Sequence, residues 1–316
     1  ALGLIPEPSE SPYLKARILG LKGLVFMETG HLAEAAYPLA YAVIAFRRLS
    51  DRRNESVQLA NLGLLAQARG NLIESLGFFE HALAIDREIR DVSERGRKLV
   101  GYADIRVELG QFETGESLLN DALRICRENY EPMGELEAEL GMADLLLQRG
   151  RPAEARDVLV AFLDRPFLKT SSISRARHLR LLTEAFIGSG DPVAAVTSAR
   201  DAIAVAERSQ MKAEVAHGAS LYALALAHAR QVEKACDEVH RVEEVIGELG
   251  RVRHGERIWW RCARTLHLAD NREGRDRALE KARNEVERKL SYIENPKHRG
   301  LFLNHPLIVS IMLGNI

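Results

Sequence analysis

An all-helical, superhelical solenoid of about seven stacked two-helix hairpins is the fold this sequence predicts, and three observations predict it. The composition is rich in Ala, Leu, Glu and Arg with only 6% aromatic residues, which favours helix over strand. Glycines recur every forty residues, at Gly30, Gly70, Gly110, Gly150 and Gly190. Small residues hold register with them. Seven positions before each phase point stand Gly23, Gly63, Ala103, Ala143, Thr183, Ala223 and Ala263. Five after it stand Ala35, Ser75, Gly115, Ala155, Ala195 and Ala235, and twelve after it Ala42, Ala82, Ala122, Ala202 and Ala282, with Phe162 and Val242 completing that column. Self-similarity at such a period marks a repeat array.

Each unit divides into two helices. In the second unit Leu59, Leu62, Leu64 and Ala66 lead to a break at Arg69-Gly70-Asn71. Leu72, Leu76, Phe79, Ala82 and Ile85 follow at helical spacing. Glycine at the break suits a left-handed residue that closes the first helix. The small residues let the two backbones approach, and stacked hairpins bury what one alone leaves exposed. The units are 11–50, 51–90, 91–130, 131–170, 171–210, 211–250 and 251–290. The glycine column lapses at Arg230 and Asp270, and Arg275 breaks a small-residue column.

Ser11-Pro12 reads as a helix cap followed by proline in the first turn, with residues 1–10 an irregular lead-in. The start lacks Met and reads as a piece of a longer chain, or one that has lost its first residues. Asn295-Pro296 ends the last long helix. The apolar tail at 291–316 is expected to fold back as a cap, or else to dock on a neighbouring domain or a second copy.

The net charge of −1 predicts neither nucleic acid nor a membrane surface as partner. No apolar run approaches the ~20 residues of a membrane span. Three scattered cysteines fit a reducing, cytoplasmic setting better than a disulfide framework.

The columns Leu59, Leu62-Gly63, Gly70, Ser75, Phe79 and Ala82 resemble the tetratricopeptide repeat, over about residues 11–290. The period is forty where thirty-four is commoner in that family, and the usual proline near the unit's end is missing. Units such as LSDRRNESVQLANLGLLAQARGNLIESLGFFEHALAI also resemble the C-terminal arrays of large bacterial multidomain signalling ATPases, kinases and transcription regulators. The first resemblance implies a right-handed superhelix whose first helices line a concave, partner-binding wall. It also implies a non-enzymatic scaffold or sensor that grips a protein or peptide segment, or a ligand-sensing domain of a regulator.

No phosphate loop, H-E-x-x-H or paired C-x-x-C is present, and no cofactor is expected. Cys236 and His240 stand one helical turn apart, and His217 and His228 share a helix face, but neither pair makes a metal or catalytic site. Carrying over the family's inward columns gives the partner-binding candidates Asn61, Arg97, Asp104, Asp144, Arg177, Arg180, Glu184, His217, Arg257, Trp260, Arg261 and Arg264. Asp104, Asp144 and Glu184 form one recurring carboxylate column. The stretch WWRCAR makes the C-terminal end basic and aromatic, as interface anchors are. The competing reading is that these charges are ordinary helix faces satisfied by one another. A homodimer through the tail is a further expectation.

Overall fold

The computed structural model describes residues 11–92, 94–162, 168 and 170–316; the expected lead-in lies outside them. The described residues form helices and no strand. Six hairpins follow in order: α1 (Pro12–Glu28) with α2 (Leu32–Arg48), α3 (Arg52–Ala68) with α4 (Leu72–Glu88), α5 (Arg95–Glu108) with α6 (Phe112–Glu128), α7 (Pro132–Gln148) with α8 (Pro152–Val160), α9 (Ser172–Gly188) with α10 (Pro192–Arg208), and α11 (Lys212–His228) with α12 (Val232–Leu249). Then come α13 (Gly255–Leu268), α14 (Arg272–Leu290), α15 (Pro296–Leu303) and α16 (Pro306–Leu313).

The helix ends explain the period. At Gly30 and Gly70 φ is +84°, and the next N–H reaches back five residues, from His31 to the Phe26 carbonyl at 2.8 Å and from Asn71 to that of Ala66 at 2.9 Å. This is the left-handed closure that satisfies the last carbonyls of a helix. Arg230 and Asp270, where the glycine column lapses, take the same conformation at φ +62° and +53°. So do Ser50, Arg90, Tyr130 and Gln210, halfway between the forty-residue closures. The backbone motif therefore recurs about every twenty residues, and the sequence shows only alternate occurrences as glycine. Side-chain caps at Asp51, Asn71, Asp191 and Asn271 start the following helices.

The small-residue columns are contact points. A methyl group at Gly63 would lie 2.7 Å from the Phe79 ring, and one at Gly101 2.6 Å from it. Phe79 is thus clasped between units two and three and fully buried. A charged link joins the same units: Lys98 Nζ donates to Asp86 Oδ1 at 2.7 Å and to Ser56 Oγ at 2.7 Å, all three buried.

The array curls round on itself. The turns of units one, two and three meet the C-terminal third at Gly30 against Leu249, Gly70 against Arg288 and Gly110 against the Leu301 carbonyl. The tail is held within the chain, with Phe302, Ile308 and Ile311 buried and the Ile311 and Met312 carbonyls accepting from Arg283. The regular stacking breaks at unit seven. There α13 packs chiefly on α11 and α14 rather than on α12, its predecessor in sequence.

Candidate functional site

The inner wall is built from the first helix of each hairpin, and α13 lies against it. All but three of the residues of α13 are buried. Arg253, just before it, ion-pairs with Asp104. One turn on, Arg257 Nη1 stands 3.3 Å from Asp144 Oδ1, and another turn on, Arg261 Nη2 stands 2.7 Å from Glu184 Oε2. Each step of four residues along α13 meets a step of forty along the array, so the helix runs in the stacking direction and braces units three, four and five. Four residues rise about 6 Å, while packed helices stand about 8–10 Å apart. Long arginine side chains absorb the difference.

Burial pushes the Asp144 carboxyl up, but Arg257, Arg180, Arg177 and Arg261 outweigh it and hold its pKa below the ordinary value. For Arg257 burial is likewise outweighed, by Asp144 and then Glu256, so the guanidinium is held charged. At Arg261 burial dominates and its pKa falls. His217 donates from Nε2 to the Arg253 carbonyl at 2.8 Å, which places its proton on that nitrogen. Burial, reinforced by Arg180 and Arg261, drives its pKa well down, so it is neutral.

Below this ladder sits a buried ionic cluster. Lys289 Nζ hydrogen-bonds Glu108 Oε1 and lies 2.7 Å from Glu256 Oε2, while Gln67 Nε2 donates to Glu108 Oε2 at 3.0 Å. Glu108, His254 and Glu256 are close enough together to hold a metal ion. The Lys289 ammonium already pairs with both carboxylates, and burial holds His254 well below its ordinary pKa. The arrangement ties unit three to unit seven.

A cavity of about 480 Å³ opens beside α13, between units four to seven and the tail. Its walls include Leu147, Ile187, Leu221, Leu224 and Leu307, and its polar side carries Glu184, Arg257, Arg261 and Arg264 beside Trp260. Arg261 is buried with its Nη1 unpartnered, and the partly buried Arg264 makes no hydrogen bond or ion pair to any described residue.

The structure pairs Asp144 with Arg257 and Glu184 with Arg261, with Trp260 and Arg264 on the cavity beside them, while Asp104 meets Arg253 instead. Arg180 joins Glu214 at 3.4 Å on the neighbouring hairpin. Arg177 and Glu137 lie near one another; burial raises the Glu137 pKa, and Arg177 and Arg97 oppose it. Arg97 itself pairs with Glu94, and Asn61 donates to Gln58 Oε1 at 3.2 Å, away from the ladder. Not foreseen from sequence are Arg253, His254, Glu256, Lys289 and the tail residues His305 and Leu307. The four-residue spacing of Arg253, Arg257 and Arg261 is the signal that could have found the ladder.

No family model matches the chain, and no curated protein matches it significantly. Solved structures do match in fold. A Rap protein complexed with competence and sporulation factor is 13% identical, with a TM-score of 0.63 over 99% of this chain and 89% of that one. The apo form of RapI is 15% identical, with a TM-score of 0.61 over 86% and 98%. NprR in complex with its cognate peptide NprX is 12% identical, with a TM-score of 0.59 over 93% and 86%. The likeness over nearly the whole chain, with the forty-residue hairpin period, establishes the fold as a tetratricopeptide-like helical solenoid.

Proposed function

We propose that this chain is a non-catalytic interaction module that takes a peptide segment on its inner wall and serves a larger cytoplasmic signalling regulator. One observation carries the reading: a preformed cavity on the inner wall, bounded by four consecutive units and lined by charged, aromatic and apolar side chains together. A groove already in shape imposes little ordering cost on the receptor when a flexible segment binds. Two proteins of similar fold support the choice of ligand, one holding competence and sporulation factor and one its cognate peptide.

A sensing role is favoured by the ladder on α13. Arg257 and Arg261 line the cavity while pairing with Asp144 and Glu184. A ligand that engages those arginines alters the brace across units three to five, and with it the curvature. A displayed library of short peptides, panned against the chain and followed by calorimetry and solution scattering, tests both parts. The expected result is one-to-one binding with a change in radius of gyration. Binding without that change would remove the sensor and leave the module, and failure to select any peptide would remove both. The tail keeps only Tyr292, Leu303 and Leu313 exposed among its large hydrophobic residues. A dimer through it is tested by comparing the mass in solution with and without residues 297–316.

A further inference from the structure

We propose that the cavity beside α13 anchors the free C-terminal carboxylate of a peptide whose last side chain is apolar, the carboxylate resting on Arg264 and Arg261. The proposal rests on the peptide-binding reading above and names the part of the peptide this cavity takes.

The charges lining the cavity do not cancel. Three guanidiniums, Arg257, Arg261 and Arg264, face one carboxylate, Glu184. Arg257 is committed to Asp144 outside the cavity, and Arg261 gives Glu184 only its Nη2. Among the described residues Arg261 Nη1 is left without a partner, and Arg264 makes no hydrogen bond or ion pair, with Glu184 acting on it only through space. Burial lowers the pKa of both His228 and His305, so the two histidines on the lining add no positive charge at neutral pH. What remains is a surplus of close to one positive charge, carried by groups shaped to bind a carboxylate through paired N–H donors.

The rest of the lining includes the apolar side chains Leu147, Ile187, Leu221 and Leu224. A ligand that satisfies both kinds of lining carries a carboxylate and an apolar branch on the same carbon, as the last residue of a peptide does. An internal Asp or Glu offers its carboxylate on a methylene stem and nothing to the apolar lining. A phosphate dianion brings a second charge that Glu184 opposes. The volume of about 480 Å³ lies within the range of small-ligand sites and is too large to be a packing defect.

The test uses the whole chain and its tryptophan emission, to which Trp260 on the cavity and the neighbouring Trp259 both contribute. The probes are the tripeptide Ala-Leu-Leu as free acid, its C-terminal amide, octanoate and inorganic phosphate, each at up to millimolar concentration. The free acid is expected to shift the emission saturably, and amidation or Arg264→Gln to weaken it by about tenfold each. Ile187→Phe, which fills the apolar lining without adding a tryptophan, is expected to abolish the shift. Because Arg264 makes no hydrogen bond or ion pair among the described residues, its variant should keep the wild-type melting curve. Equal binding of acid and amide would overturn the carboxylate anchor while leaving peptide binding intact. Octanoate or phosphate outcompeting the tripeptide would overturn the peptide terminus as occupant and, with an empty library screen, the peptide reading itself. No response to any probe would overturn the anchor alone, because the library screen reads the whole inner wall.

Discussion

Arg257 and Asp144 are 113 residues apart in sequence, yet Nη1 of one lies 3.3 Å from Oδ1 of the other on the inner wall. Both side chains are nearly enclosed, at 8% and 11% exposure. Removing one partner strands the other charge. Arg257→Met is therefore expected to cost about 3–5 kcal/mol, and the double variant with Asp144→Leu distinctly less. Urea unfolding of the single and double variants measures this; equal losses would show that the pair is not coupled.

The same logic applies between units two and three. Lys98 and Asp86 are both buried, and Ser56 completes the cluster. Lys98→Met should destabilise by about 3 kcal/mol or more, because the Asp86 carboxylate keeps only its hydroxyl donor. A midpoint within error of wild type would show that water reaches Asp86.

Acid should weaken the fold well above the range where carboxylates titrate. His305 is 4% exposed, and burial, reinforced by Arg257, brings its pKa down from 6.5 to about 4. His217 and His254 are displaced in the same direction, by burial and then by Arg180 and Arg257 respectively. Each binds a proton in the unfolded chain before it does in the folded one, so stability is full above pH 6.5 and falls as the pH drops from there towards 4. For His305 alone the loss reaches about 3 kcal/mol at the bottom of that window. Unfolding free energy followed from pH 8 to pH 4 checks it, and a flat profile down to pH 5 would contradict neutral burial of the three rings.

The double variant Trp260→Ala with Arg264→Ala removes the aromatic flank and the unpartnered cation of the cavity. A peptide selected by the wild type should lose about tenfold or more in affinity, while circular dichroism stays helical. Unchanged affinity would move the binding site elsewhere on the inner wall.

Ala82 is wholly buried where α4 meets its neighbours, and its carbonyl oxygen lies 2.9 Å from Ser56 Oγ. Ala82→Trp overpacks that contact and should cost about 1–3 kcal/mol or more. A melting temperature equal to wild type would show the column to be slack.

Local features were readable because they are written in local sequence. Gly30, Gly70 and Gly110 mark left-handed closures directly, and Phe79 needs Gly63 and Gly101 beside it. The half-period closures at Ser50, Arg90, Tyr130 and Gln210 escaped notice because no residue type distinguishes them. The carboxylate column and the arginines of WWRCAR were both visible. Their meeting was not, because it depends on how far the array curls, a sum of small rotations between units that no single residue encodes. Lys289 stayed hidden for the same reason, 181 positions from Glu108.

The brace of α13 across three units has a thermodynamic consequence. An open stack of hairpins, each touching only its neighbours, frays from its ends and melts piecemeal. Here Arg253, Arg257 and Arg261 reach past the nearest neighbour, and Lys289 and Arg288 reach further still to Glu108 and Arg69. Distant hairpins therefore share a fate, and denaturation should be a single concerted event. Excising forty residues from the middle, harmless to an open stack, would leave this ladder one rung short.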